Sequence, residues 1–278
     1  MTSRKVLGCI GFGNMGRALM LGVWRHPELR KQYTPLTHDA CEAAREAARE
    51  AGLSVAADAP ALAREADIIL LAVKPYQVAD VLRAIAPIFS PERGPEKLLI
   101  SLAAGVRLDT LKNALKRESG NCPVMRIMPN TPALVGQGIF GLCFGDGVSE
   151  ERREQMHRLF GNLGQAIEIP ESKMNAFTAL AGSGPGYIFH FMESLAEAGV
   201  SAGLDRPGSE AIVLSLLKGC AAMAEETGRH PALLREQVSS PAGMTIAALN
   251  HLDRCGARGQ IVDAVLAAVA RGKAMEEE

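Results

Sequence analysis

The chain has 278 residues, of which 47% are hydrophobic, 22% charged and only 4% aromatic, and its net charge is -1. That length allows roughly two domains, and the composition supports a buried core rather than disorder. Near-neutrality gives no reason to expect nucleic acid or an anionic membrane as a partner, and so few aromatics argue against a base-stacking surface.

The run VLGCI at residues 6–10 suits a buried parallel strand. It leads directly into Gly11-Phe12-Gly13-Asn14-Met15-Gly16 and then into a helix-spaced apolar series from Ala18. Strand, turn and helix are the setting in which GxGxxG binds a dinucleotide. Gly11 permits the tight turn, Gly13 lets a pyrophosphate approach the backbone, and Gly16 lets the helix lie against the strand. The helix start supplies N–H donors and a partial positive charge. The plain alternative is a glycine-rich βα turn with no ligand.

A second strand is expected to end near residues 36–39. Asp39 is placed to accept from a free adenosine 2′-OH, whereas Arg45 suits a 2′-phosphate. Asp39 can equally cap a helix beginning at Ala40. NADH and NADPH both stay open on these residues. Residues 40–52 read as an Ala/Glu/Arg helix with a solvated charged face and a stop at Gly52.

DIILLAV at 67–73 is the clearest buried strand and runs into Lys74-Pro75. LLISL at 98–102 precedes Ala103-Ala104-Gly105, and VMRIM at 124–128 precedes Pro129-Asn130-Thr131-Pro132. Ligands sit at the carboxyl ends of strands in open α/β sheets, so these three loops are expected to line one crevice.

Residues 165–169 read as the last strand, and Pro170 marks a break. Helices are then expected from Gly184-Pro185, over 209–226 with Gly228 as stop, from near Thr245, and over 260–273. Residues 276–278 read as a solvated tail. The expected fold is an α/β Rossmann-like N-terminal domain, 1–170, followed by an all-α C-terminal dimerisation domain, 171–278. These helices are too few and too apolar to complete a globule alone, so a second subunit is expected to cover them. His190, between two phenylalanines, reads as a packing or interface residue. SSPAGMTI at 239–246 poses the main functional question: it is either an ordinary helix start or a loop of backbone donors for an anion.

The six cysteines, at 9, 41, 122, 143, 220 and 255, form no CxxC and no zinc-finger pairing with histidine, and no HExxH occurs. The expectation is reduced, mostly buried thiols and no metal. The N-terminus lacks a secretory apolar core, and no stretch approaches the ~20 apolar residues of a membrane span, so a soluble cytoplasmic protein is expected.

GFGNMG, DIILLAVKP, SLAAG, RIMPNTPALVGQG, ALAGSGPGY and SSPAGMTIAAL stand in the order and spacing of the pyrroline-5-carboxylate reductase family, which the chain resembles over nearly its whole length. The resemblance implies reduction of Δ1-pyrroline-5-carboxylate to L-proline, the last step of proline biosynthesis, with NADPH or NADH as cofactor. It implies that Gly11, Phe12, Gly13, Asn14, Met15, Ala72, Val73, Lys74, Pro75 and Ala104 touch that cofactor, with Asn130 near the nicotinamide. It further implies that Ser240, Gly243, Met244 and Thr245 hold the substrate, mainly through backbone N–H groups, in a homodimer or a larger assembly of dimers.

A helix start behind small residues suits the substrate's carboxylate. The Thr245 hydroxyl both donates and accepts, so it is expected to orient the imine nitrogen as the catalytic residue. No His, Asp or Glu stands out as proton donor. The chain departs from the family's usual residues at Ala59, Asn175, Ala181, Ala242 and Ala257. The rivals are a β-hydroxyacid-type dehydrogenase of the same plan, whose lysine motif neither Lys173 nor Lys218 matches, and a non-catalytic dinucleotide-binding regulator.

Overall fold

The computed structural model describes residues 4–89, 97–119 and 122–277. They pack as two compact units, one from Met1–Ser183 with Val269–Glu278 and the other from Gly184–Ala268. In the first, strands and helices alternate as β1 (Lys5–Ile10), α1 (Asn14–Arg25), α2 (Pro27–Gln32), β2 (Tyr33–His38), α3 (Glu42–Glu50), β3 (Ser54–Val55), α4 (Ala59–Glu65) and β4 (Ile68–Leu71). They continue through α5 (Val78–Ile85), β5 (Leu98–Ser101), α6 (Leu108–Ser119), β6 (Val124–Met128), β7 (Gly138–Phe144), α7 (Glu150–Gly161), β8 (Gly164–Glu168) and the single turn α8 (Met174–Phe177).

The strands form one sheet in the order β3-β2-β1-β4-β5-β6-β7-β8. Every pairing is parallel except β6 with β7. β4, β5 and β6 are buried along their whole length, as strands covered on both faces must be. Their side chains alternate between two cores. Ile68 and Leu70 join Leu7, Met20 and Phe160 on one side, while Ile69 and Leu71 join Leu62, Leu82 and Leu111 on the other.

β3, β7 and α7 were not expected from the sequence. In β7 two glycines interrupt the strand signal, yet they are packing positions rather than turns: a Cβ on Gly141 would stand 2.6 Å from the Phe177 ring. Beside them runs a buried ion pair that ties the sheet to the following segment. Arg126 of β6, its side chain 3% exposed, meets Glu171 at 2.8 Å. The same carboxylate accepts the Leu108 N–H at the start of α6.

The second unit holds α9 (Gly184–Ser201), α10 (Arg206–Thr227), α11 (Pro231–Gln237), α12 (Met244–Arg254) and most of α13 (Ala257–Glu277). α10 begins where the Asp205 carboxylate accepts the Gly208 N–H and ends at left-handed Gly228. α11 was not expected, and α13 runs on through Glu276 and Glu277 of the expected solvated tail, whose last residue, Glu278, lies outside the described residues.

The cysteines correct another expectation. Cys9 and Cys143 are buried and Cys122 is half-buried, but Cys41, Cys220 and Cys255 are exposed in the single chain, so most are not core residues. Among the described residues no helix is long and apolar enough to cross a membrane. Nor does any group of three or more His, Cys, Asp or Glu side chains stand together as metal ligands among them.

Candidate functional site

Within the first unit the ends of β1, β2, β4, β5 and β6 converge on one cavity of about 720 Å³. The turn after β1 contributes Gly11, Gly13, Asn14 and Met15, and the tip of β2 contributes His38, Asp39 and Ala40. Ala72, Val73, Lys74 and Pro75 follow β4, Ala103 and Ala104 follow β5, and Met128, Pro129 and Thr131 lie at the end of β6. The three strand ends expected to share a crevice do share it, and two further ends join them.

The turn is built by close backbone approach. Gly11 has φ +100, its N–H donates to His38 O at 2.8 Å, and a Cβ on it would stand 2.6 Å from Ala72 O. Only glycine fits there. Gly13, the residue before α1, has nothing within 4 Å of a Cβ and no side chain caps the helix. The start of α1 thus offers open space, uncapped N–H groups and the positive end of the helix dipole to the cavity. These features fit a dinucleotide's pyrophosphate.

Phe12 is buried, and its N–H donates to Asp39 Oδ2 at 2.6 Å. Asp39 Oδ1 accepts the Cys41 N–H at 2.8 Å. Asp39 is therefore not the cap of a helix at Ala40: α3 starts at Glu42 with Cys41 before it. Asp39 instead locks the glycine turn to the tip of β2. Beneath the turn, burial first and the Asp39 charge second push the Cys9 thiol far up, so it stays protonated and inert.

Asn130 does not line this cavity, although its neighbours Pro129 and Thr131 do. Its amide is engaged elsewhere in the first unit: Nδ2 donates to Ala181 O at 3.1 Å and Oδ1 accepts the Ile139 N–H at 2.9 Å. Several lining residues were not singled out in the sequence, Gln77 and Val81 among them. His38 is the last residue of β2, where strand periodicity carries no functional signal. Met275, from the last turn of α13, lines the cavity and packs on Gly105.

The remaining expected residues lie in the second unit. Ala242 adopts φ 57, a left-handed torsion that costs an L-residue about 1 kcal/mol. Gly243 follows, with its N–H donating to Ser240 O at 3.1 Å. A Cβ on Gly243 would stand 2.3 Å from Ser240 Oγ, so a larger residue there would force the Ser240 hydroxyl to turn away. α12 then starts at Met244, whose side chain is 93% exposed, with Thr245 exposed in its first turn. No side chain caps this helix even though serines stand beside it, and Ser239 donates back to Arg235 O instead. The first-turn N–H groups are left without a side-chain cap, as an anion-binding helix start requires.

Neither lysine considered for hydroxyacid chemistry lines the cavity: Lys173 lies in a short turn before α8 and Lys218 on α10. His190 is exposed in the single chain and stands edge-on to Phe191.

A family model described as NADP oxidoreductase, coenzyme F420-dependent, matches residues 6–105, and one described as pyrroline-5-carboxylate reductase dimerisation matches residues 171–275. The pyrroline-5-carboxylate reductase of Glycine max is 36% identical over 96% of this chain and 94% of its own. That of Methanosarcina acetivorans is 36% identical over 98% of both. Among solved structures, the pyrroline carboxylate reductase of Plasmodium falciparum with NADP bound superposes with a TM-score of 0.88 at 31% identity, covering 99% of each chain.

Proposed function

The chain belongs to the pyrroline-5-carboxylate reductase family, and from that premise we propose how its residues divide the reaction. It is an NAD(P)H-dependent oxidoreductase that reduces Δ1-pyrroline-5-carboxylate to L-proline, the closing step of proline biosynthesis. It self-associates, as the matched dimerisation family and its exposed apolar helices both require. The observation that carries the reading is the cavity at five strand ends, with the uncapped start of α1 opening into it.

When bound, the reduced nicotinamide supplies the hydride that converts the ring C=N bond to an amine. In this proposal Gly11, Phe12, Gly13, Asn14 and Met15 cradle the dinucleotide phosphates, and Asp39 receives the adenosine ribose. Ala72, Val73, Lys74, Pro75 and Ala104 wall the cavity, and Asn130 holds β7 behind the nicotinamide end. In the 171–278 domain, Ser240, Gly243, Met244 and Thr245 hold the substrate. Main-chain N–H groups at the start of α12 take the carboxylate, so the exposed side chain at 244 is free to vary. The Thr245 hydroxyl donates to the nitrogen of a neutral imine, or accepts from the N–H of a protonated imine and of the amine formed from it. A hydroxyl is too weak an acid to serve as general acid, so solvent or an already protonated imine provides the proton. We place the protein in the cytoplasm, which agrees with the absence of a membrane-spanning helix among the described residues.

Oxidation of NADPH and NADH followed at 340 nm with pyrroline-5-carboxylate tests the activity, with hydroxy acids assayed in the oxidative direction. Turnover confined to hydroxy acids, or cofactor binding with no turnover, would overturn it. Thr245→Val lowers kcat/KM by about 10- to 100-fold, the loss of a hydrogen bond of about 1.5–3 kcal/mol. An unchanged kcat/KM would remove Thr245 from the mechanism.

A further inference from the structure

The cavity corner at the tip of β2 holds a carboxylate, and the guanidinium beside it is committed to main-chain carbonyls and to Glu42. Asp39 is pinned by two main-chain donors, the N–H groups of Phe12 and Cys41. Arg45, the residue suited by position to a phosphate, is not among the cavity-lining side chains. Its Nη1 donates to Asp39 O at 2.6 Å and Ala40 O at 3.0 Å, and its Nη2 is paired with the Glu42 carboxylate. Releasing it for a ligand would break three contacts at once.

The other residues at hand do not replace it. Lys74 is the cavity's one lysine among the described residues. It follows β4, and β1 lies between β4 and β2. Two strand spacings, about 9–10 Å, therefore separate its backbone from the tip of β2. His38 directs Nδ1 to Ala56 O at 3.2 Å. Ala59, which also lines the cavity, contributes no side-chain donor. In a βαβ dinucleotide site the acidic residue closing the second strand bonds a ribose 2′-OH, whereas a 2′-phosphate needs a cation there.

We propose that Asp39 makes this enzyme selective for NADH: its carboxylate accepts from the adenosine 2′-OH and repels a 2′-phosphate. The inference rests on the dinucleotide reading of the cavity and goes beyond it, because that reading admits either cofactor. The relative solved with NADP bound is 31% identical to this chain, so its cofactor does not dictate the residues at this corner.

The test is titration calorimetry of the full chain with NADH alone and with NADPH alone, which reads affinity without turnover. The unaltered protein should bind NADH about tenfold more tightly or better, as expected of a carboxylate facing a phosphate dianion near a protein surface. Asp39→Asn removes the charge yet keeps an oxygen for the Phe12 N–H. It should narrow the ratio by about tenfold, chiefly by strengthening NADPH. Equal or tighter binding of NADPH by the unaltered protein overturns the selectivity while leaving the cavity a dinucleotide site. A ratio that Asp39→Asn does not move takes the role from Asp39. Failure of both dinucleotides to bind overturns the reading of the cavity itself, and with it this inference. Should the variant fail to fold, the ratio measured on the unaltered protein still decides the selectivity.

Discussion

The two units solve the problem of hiding apolar surface in opposite ways. The α/β unit covers both faces of its central strands by itself, and the side chains of β4 and β5 are essentially inaccessible, although edge strand β8 stays partly exposed in the single chain. The helical unit buries Ala196, Ser209 and Val213 on α9 and α10 and nothing on α11 or α12. Phe189, Ile212 and Leu216 are each half or more exposed in the single chain. A lone exposed leucine needs no explanation, but a series of exposed apolar side chains along neighbouring helices does. The first unit has its own two-sided core, with Tyr76, Val135 and Leu180 among the apolar side chains it leaves exposed, whereas the helical unit leaves most of its apolar surface to be covered by self-association.

The sharpest way to break this contrast is Ile212→Glu with Leu216→Glu, which puts two carboxylates on one face of α10. Each apolar side chain buried at an interface contributes about 1.5–3 kcal/mol. Losing two from each copy should raise the dimer dissociation constant by more than about a thousandfold. Sedimentation velocity should then show monomer, while dinucleotide binding by the α/β unit persists. An intact dimer would show that this face is not the interface.

The internal support of the α/β unit is tested by Glu171→Ala, which strands the Arg126 guanidinium in the interior. Breaking a buried pair from one side costs about 3–5 kcal/mol. Because Glu171 keeps a fifth of its side-chain exposure, we expect about 3 kcal/mol, seen as a lower urea midpoint. A loss below about 1 kcal/mol would show that water already solvates Arg126.

Gly13→Ala separates binding from folding within the same unit. Gly13 has an ordinary φ of -70 and open space where a methyl would go. Stability should stay within about 0.5 kcal/mol, yet dinucleotide affinity should fall by about tenfold, because the methyl occupies the approach of the pyrophosphate. An undiminished affinity would place the phosphates elsewhere. The smallest effect belongs to the helical unit. Ala242→Gly relieves the left-handed torsion but adds freedom to the unfolded chain, for a net gain below about 1 kcal/mol in chemical denaturation. A loss of stability would mean that the Ala242 methyl makes contacts worth more than its strain.

The sequence by itself determined the strand–turn–helix around Gly11, Gly13 and Gly16, the apolar strands ending at Lys74, Ala103 and Pro129, and the excess of apolar helix surface after residue 184. Each of these is written in local periodicity, in turn residues or in composition, and each follows from burial on two faces or on none. Tertiary structure decided the rest. It turned the Gly138–Phe144 stretch, with its misleading glycines, into a strand against Phe177. It brought Met275 to the cavity and spent the Asn130 amide on Ala181 and Ile139. It also set Asp39 against Phe12 while tying Arg45 to the main chain beside it. Most of these are pairings between residues distant in the chain, and even where the partners are close, as for Arg45, several carbonyls and carboxylates compete for one donor. No period or motif records which partner wins, because packing makes that choice once the whole sheet has closed.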